Sequence, residues 1–346
     1  MADLHHQSLS DPVPLIEHQW PDKLKPTVTI RCITYNHAPY IDKCIQGFLA
    51  QRTTFPVEII IHDDASNDGT AEIVRGYLER HPRLIRGILQ PKNLHSQGIP
   101  KDQFIAPLTR GDYIAVCEGD DYWVDPLKLE RQVRAMKQNP GCDLCIHKAT
   151  EFHQDTGEER IIGVCCDSDC VIDVKDIVTK RFGMIPTASA LITRRAMREL
   201  QDYEASRPWL TVGDIYLFFF GAKRGGAVYI NETMSVYRAF APNSWNDRIR
   251  KDPDMLLQHR KARIRSFREL DQLTDGAFRD SLRAANRQLA RHILRDGRIS
   301  YSRRMRFYLR NADLLGWNEL VSTFPFFTSV SGLMQSLRRR SKTDET

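Results

Sequence analysis

No run of about 20 uncharged apolar residues occurs in this chain of 346 residues, so no membrane-spanning helix is expected. The first residues, MADLHHQSLSDPVPLIEHQWPDKLKP, contain no apolar segment behind a positive start, so no secretory leader is expected either. Charge of one sign is also scarce: 50 Lys and Arg face 44 Asp and Glu, a formal net charge of +6. That excess is too small to point to nucleic acid, and basic and aromatic residues are not interleaved as in an RNA-binding motif. It suits an anionic ligand or a phospholipid surface. What remains is ordinary soluble composition, 41% hydrophobic and 27% charged, long enough for one large core and an appended unit.

Eight cysteines in a chain without a visible leader suit a reducing, cytoplasmic setting and free thiols. Cys142-x-x-Cys145, with Cys165, Cys166 and Cys170, invites a zinc reading. CDLCIH reads better as a strand, which turns Cys142 and Cys145 to opposite sides. Small buried hydrophobes are the preferred expectation.

Residues 1–25 read as a flexible extension ending at Pro26. Apolar runs then alternate with helical patterns. TVTIRCI (27–33), VEIIIHDD (57–64), LIRGILQ (84–90) and DYIAVCEGDD (112–121) read as strands. PYIDKCIQGFLAQ (39–51) places Ile41, Ile45, Phe48 and Leu49 on one helical face. DGTAEIVRGYLERHP (68–82) and DPLKLERQVRAMKQNPG (125–141) read as helices with their own start and stop residues. Strand–helix alternation predicts an α/β fold, a mostly parallel sheet with helices on both faces. Ligands of such sheets sit beyond the carboxyl ends of the strands. Three strands here end in polar clusters, TYNH (34–37), HDDASND (62–68) and EGDD (118–121). Asp68 and Asp125 are expected to cap the following helices. Asp120 and Asp121 are adjacent like charges at the end of a buried strand, which calls for a positive side chain or a metal ion beside them.

The three strand-end motifs, with PTASALITRRAM (186–197), VGDIYLFFFGAKRGGAVYINETMSVYR (212–238) and SW (244–245), resemble glycosyltransferase family 2 over about residues 27–245. The resemblance implies a GT-A fold over 26–245 and inverting transfer of a sugar from a nucleoside diphosphate, most often UDP. It implies that Thr34, Tyr35 and Asn36 line the base and ribose, and that Asp64 accepts the uracil N–H by a charge-assisted bond. Asp63 is expected to orient the strand end. Asp120 corresponds to the ribose or metal-shell partner, and Asp121 to the direct ligand of Mg²⁺ or Mn²⁺, a hard cation suited to carboxylate and phosphate oxygens. Asp214 corresponds to the base that takes the acceptor hydroxyl proton. A helix start weakens a carboxylate as a base, and burial against Trp209 or a sugar ring would offset that. Arg238 is the candidate for a bidentate diphosphate contact, with Phe240 where a His is often found. Lys101 or Asn93 stands in for an Arg-Asn nucleotide cradle. Trp123, Ser189 and Trp245 are expected on the sugar and acceptor side, the tryptophans as stacking faces or as core.

Residues 246–346 lie outside the resemblance and read as basic helices. The segment 314–334, with Trp317, Phe324, Phe326 and Phe327, suits either an anionic leaflet or packing as a helical subdomain. The acceptor expected from the resemblance is a hydroxyl of a glycan or lipid-linked glycan in surface-polysaccharide synthesis. Transfer to a polyprenyl phosphate, for which Lys223 and Arg224 would supply charge near Asp214, is one alternative. A non-catalytic sugar-nucleotide-binding protein is another.

Overall fold

The computed structural model describes residues 11–315, apart from 19, 22–23, 100, 180, 182, 208–209, 211–212 and 243, together with 322–323. Two compact units are present, one up to Asp247 and one from Arg248.

The first unit opens with a correction. The expected flexible lead-in is ordered from residue 13: β1 (Val13–Pro14) pairs with β3 (Arg52–Thr53), and Leu15 is 3% exposed in the main core. The apolar side chain of Leu15 outweighed the Pro-rich, polar character of its neighbours.

β2 (Val28–Thr34) leads into α1 (Ala38–Leu49), which buries Ile41, Cys44, Ile45 and Phe48 along one stripe. After β3 (Arg52–Thr53), β4 (Val57–Asp63) is buried at every position, as a central strand covered on both faces should be. α2 (Thr70–Arg80) starts where the Asp68 carboxylate accepts the N–H of Thr70. The same carboxylate accepts the N–H of Ala38, so it ties the starts of both helices together. β5 (Ile85–Leu89), the short α3 (Asp102–Ile105) and β6 (Tyr113–Glu118) follow.

β7 (Tyr122–Trp123) and α4 (Lys128–Gln138) precede the long β8 (Leu144–His153) and β9 (Glu159–Ile162). β10 (Cys170–Ile172), α5 (Val174–Val178), β11 (Leu191–Thr193) and α6 (Arg194–Ala205) lead to α7 (Gly213–Ala222). α7 is apolar on every side and buried from Ile215 to Ala222, which fits a helix enclosed by protein. β12 (Ala227–Ala239) completes a sheet in the order β10-β12-β8-β11-β6-β2-β4-β5. β5, β4, β2 and β6 run parallel, and β12 runs parallel to β8. β11 is antiparallel to both of its neighbours.

α8 (Trp245–Lys251) is followed in the second unit by α9 (Pro253–Leu273), α10 (Arg279–Arg295) and α11 (Tyr301–Arg310). Asp252 caps α9 through the N–H groups of Asp254 and Met255, with Pro253 at the first helical position, where its missing N–H costs nothing. Leu257, Ile264, Ile293, Leu294 and Phe307 lie in this unit's own core. Among the described residues no helix is long and apolar enough to cross a membrane. The expectation for 314–334 falls, apart from Leu314, Leu315, Ser322 and Thr323, outside the described residues, as does Trp209.

Candidate active site

Parallel register assembles the site. Thr34 of β2 stands opposite Asp63 of β4, and Ile33 opposite Glu118 of β6, so three polar strand ends share one rim. Three of the four non-glycine residues with positive φ among the described residues follow strand ends: Asn36 (55°), Ala65 (62°) and Phe240 (55°). Such backbone costs energy and persists where surrounding contacts enforce it. Here they do so: the N–H of Asn36 donates to Ser66 Oγ at 2.8 Å, and the N–H of Asn67 donates to Asn36 Oδ1 at 3.0 Å. Asp63 accepts the N–H of Ser66 at 3.0 Å and its hydroxyl, fixing the turn after β4.

The two adjacent aspartates diverge. Asp121 is buried, 1% exposed, and its Oδ1 accepts the N–H of Arg238 at 2.8 Å. Its Oδ2 is buried without a hydrogen-bond partner, and so is Oδ1 of Asp120. The other Asp120 oxygen lies 3.7 Å from His37 Nε2. Burial, then the charges of Asp120 and Glu118, push the Asp121 carboxyl well above the usual carboxylate range. Gly119 lets this turn close. A Cβ there would lie 2.5 Å from Thr34 Oγ1 and 2.9 Å from His37 Nδ1.

Glu118 completes an acidic cluster that spacing alone did not single out. It is solvent-accessible at the last position of β6. Desolvation, then the charge of Asp120, hold its pKa up at about 7, and the charge of Asp214 adds to the rise. Asp214, in the first turn of α7, is thus electrostatically within reach of the β6 end although nearly a hundred residues separate them. Lys101 and Arg31 act on Glu118 in the opposite sense. Glu204, beside the start of α7, is also raised to about 7, by desolvation and then Asp102.

Arg238 is held in place. Its Nε donates to the Asp120 carbonyl at 2.9 Å and its Nη1 to Gln154 at 2.9 Å, and its guanidinium lies 4.7 Å from the Tyr40 ring centre. Tyr35, 41% exposed, and Trp245, 45% exposed, present aromatic surface. Thr34 is buried and its Oγ1 has no partner.

Three expectations are corrected. Trp123 is core: it is 4% exposed, stacks edge-on with Phe48 at 4.7 Å, and donates its indole N–H to the Ala188 carbonyl at 3.1 Å. Pairing of β7 with β12 turns that ring inward. Ser189 is fully buried and donates its hydroxyl to the Pro186 carbonyl at 2.7 Å, closing its own turn. Asp64 is fully buried beneath the loop after β5. Its oxygens accept the N–H groups of Leu94 at 2.7 Å and His95 at 3.2 Å, and Lys101 Nζ lies 3.5 Å away. Asn93 donates to the Asp64 carbonyl at 3.0 Å. A direct contact between Asp64 and a nucleobase is closed in this conformation, and Asp64, Asn93 and Lys101 organise one loop instead.

The orphaned oxygens of Asp120 and Asp121 fit a divalent cation. Buried acceptors without donors are costly unless something positive meets them. Among the described residues no group of three or more His, Cys, Asp or Glu is arranged to hold a metal. The remaining ligands would have to come from a bound molecule, the usual arrangement for Mg²⁺ or Mn²⁺ with phosphates.

Residues 29–161 match the family model described as Glycosyl transferase family 2. An uncharacterized protein of Mycobacterium tuberculosis is 36% identical over 220 residues, 63% of this chain and 60% of that protein. Chondroitin synthase of Escherichia coli is 38% identical over 101 residues, 29% of this chain and 14% of that protein. The chain therefore spans about 60% of the length of the first of these relatives and much less of the second. The crystal structure of S. aureus TarS 1-349 in complex with UDP superposes with a TM-score of 0.53 at 14% identity, covering 86% of this chain and 81% of that one. At that identity the likeness is one of fold, and the fold is GT-A.

Proposed function

We propose that this chain, whose residues 29–161 match the Glycosyl transferase family 2 model, transfers a sugar from a nucleoside diphosphate, UDP in preference, to a hydroxyl of a glycan or lipid-linked acceptor. One observation carries this reading. Two buried, unpartnered carboxylate oxygens, on Asp120 and Asp121, lie at the end of β6, where the charge of Asp214 is also felt. The UDP bound in the TarS structure and the printed name of chondroitin synthase support a UDP-sugar donor and a polysaccharide product.

Asp120 and Asp121 would hold the cation together with donor phosphates. When bound, that cation supplies Lewis-acid stabilisation of the departing diphosphate. Arg238, pinned by the Asp120 carbonyl and Gln154, orients the Asp120–Asp121 turn through its backbone N–H. Asp214 takes the proton of the acceptor hydroxyl as its oxygen attacks the sugar carbon. Exposed Tyr35 offers a stacking face for the base, and exposed Trp245 one for a sugar ring. Glu118 and Glu204 keep the crevice wall protonatable near neutrality, which limits repulsion before a cation arrives.

Transfer to a polyprenyl phosphate loses its expected sign. Lys223 Nζ pairs with Glu199 at 2.6 Å, and Arg224 pairs with Asp143 and Glu199 at 2.8 and 2.7 Å. Both follow the far end of α7, about 13 Å along the helix from Asp214.

The test is donor hydrolysis and transfer over a panel of UDP-, GDP- and dTDP-sugars with Mn²⁺. UDP binding without turnover of any donor, with every acceptor offered, would favour the sugar-nucleotide-binding alternative.

A further inference from the structure

The second unit carries more than two basic residues for every acidic one between 248 and 315. Many of these charges surround one groove of about 520 Å³. Leu257, Ile264 and Phe307 form its apolar floor, and six Lys and Arg side chains of α9 and α11 form its walls. The only carboxylate on the wall, Asp254, is taken by Arg303. Arg268 is taken by Asp313 at 3.1 Å. Lys261, Arg306 and Arg310 have no ion-pair partner among the described residues. Burial, then the charges of Arg310, Arg303 and Arg306, hold the Lys261 ammonium below the usual lysine range. Arg265 pairs with Glu269 at 3.8 Å, so the uncompensated positive charge of the groove is concentrated on Lys261, Arg306 and Arg310.

We propose that this groove is a binding site for clustered phosphate oxygens, as in a pyrophosphate or a phosphomonoester headgroup. Guanidinium forks match phosphate oxygens in pairs, and Lys261 on α9 faces the same volume as Arg306 and Arg310 on α11. The volume is that of a small-molecule site. No Tyr or Trp lines it, and its single aromatic, Phe307, is buried, so it offers no platform for stacking bases. None of its residues belongs to the acidic crevice, so this inference stands or falls independently of the transfer reaction.

The experiment is calorimetric titration of the full chain with inorganic pyrophosphate in EDTA, which keeps the cation-dependent crevice from contributing. The groove variant is Lys261→Gln with Arg306→Gln and Arg310→Gln. The control, with the same loss of charge on α10, is Arg283→Gln with Arg291→Gln and Arg295→Gln. Expected is saturable, salt-sensitive binding by wild type and control, weakened at least tenfold in the groove variant, with circular dichroism unchanged. Equal affinity in the groove variant, equal loss in the control, or no binding by wild type overturns the proposal. If the triple variant does not fold, Arg306→Gln and Arg310→Gln singly are each expected to weaken binding at least threefold, and no change in either overturns it.

A second arm uses phosphatidylcholine vesicles with and without phosphatidic acid. Capture by phosphatidic acid that pyrophosphate reverses and the groove variant lacks supports the site and identifies a lipid headgroup as the source. Pyrophosphate binding without capture supports the site and identifies a soluble phosphate compound. Capture that neither pyrophosphate nor the substitutions affect, in a protein that does not bind pyrophosphate, overturns it.

Discussion

Asp121→Asn removes a charge while keeping a shape. The amide oxygen can still accept the Arg238 N–H, now 2.8 Å away, and the NH₂ takes the position of the unpartnered Oδ2. In the cation-free protein the Asp121 carboxyl is raised on folding by burial and by two neighbouring carboxylates. An acid raised on folding contributes its stability below its ordinary value of 3.8 and loses it as pH climbs toward the folded value. Each pH unit in that window costs wild type up to about 1.4 kcal/mol that the variant does not lose. At about 2–4 °C per kcal/mol for a unit of this size, the variant should gain up to roughly 3–6 °C per pH unit over wild type in EDTA. With Mn²⁺ and UDP at about 100 times their Kd the order reverses. Wild type gains about 2.7 kcal/mol by mass action, and the variant gains little. Thermal melting at several pH values between 4 and 8, with EDTA or with Mn²⁺ and UDP, reads both effects. The reasoning is refuted if the cation-free variant melts well below wild type throughout and still responds fully to Mn²⁺ and UDP.

Asp214→Asn should keep UDP affinity within about threefold and lower transfer by 10²-fold or more, within the range usual for a general base; normal transfer by equilibrium-validated enzyme would reduce Asp214 to a helix-start residue. Trp123→Ala should cost about 3–5 kcal/mol by denaturant unfolding, as for a buried aromatic. Trp245→Ala should change stability by less than about 0.5 kcal/mol and raise the acceptor KM; the opposite ranking would restore Trp123 as a ligand-facing ring. Gly119→Ala should weaken UDP binding at least tenfold, because its Cβ would intrude on Thr34 and His37; wild-type binding by calorimetry would show that the turn yields freely. Glu118→Gln should remove an inflection near pH 7 from the profile of Mn²⁺-dependent donor binding, since the raised Glu118 ionises there; an unchanged profile would exclude Glu118 as its source.

Local pattern made much of this molecule readable. The stripe Ile41, Ile45 and Phe48 gave α1, and the β-branched run at 57–61 gave β4, because helix and strand each repeat with a period that the chain records directly. Asp68 announced a helix start for the same reason: a cap acts on its own next turn. Leu15 was missed because its partners, Gln51 and the core behind it, lie some 36 positions downstream. Trp123 and Ser189 were misjudged because nothing adjacent to them says which way a two-residue strand or a tight turn will face. Glu118 went unnoticed as an individual group because its raised pKa comes from desolvation first, then from the charges of Asp120 and Asp214.

The amino-acid order by itself determined which segments become strands, that several end in carboxylates, and which family the strand-end motifs resemble, since these follow from neighbours within a few residues. Only the tertiary structure decided that Asp121 turns inward toward the Arg238 N–H and that Asp64 is enclosed by the 94–95 backbone. It also decided that the charge of Asp214 reaches Glu118. Burial and electrostatic potential are sums over groups far apart along the chain, and those sums take a value only once the parallel register has brought the strand ends together.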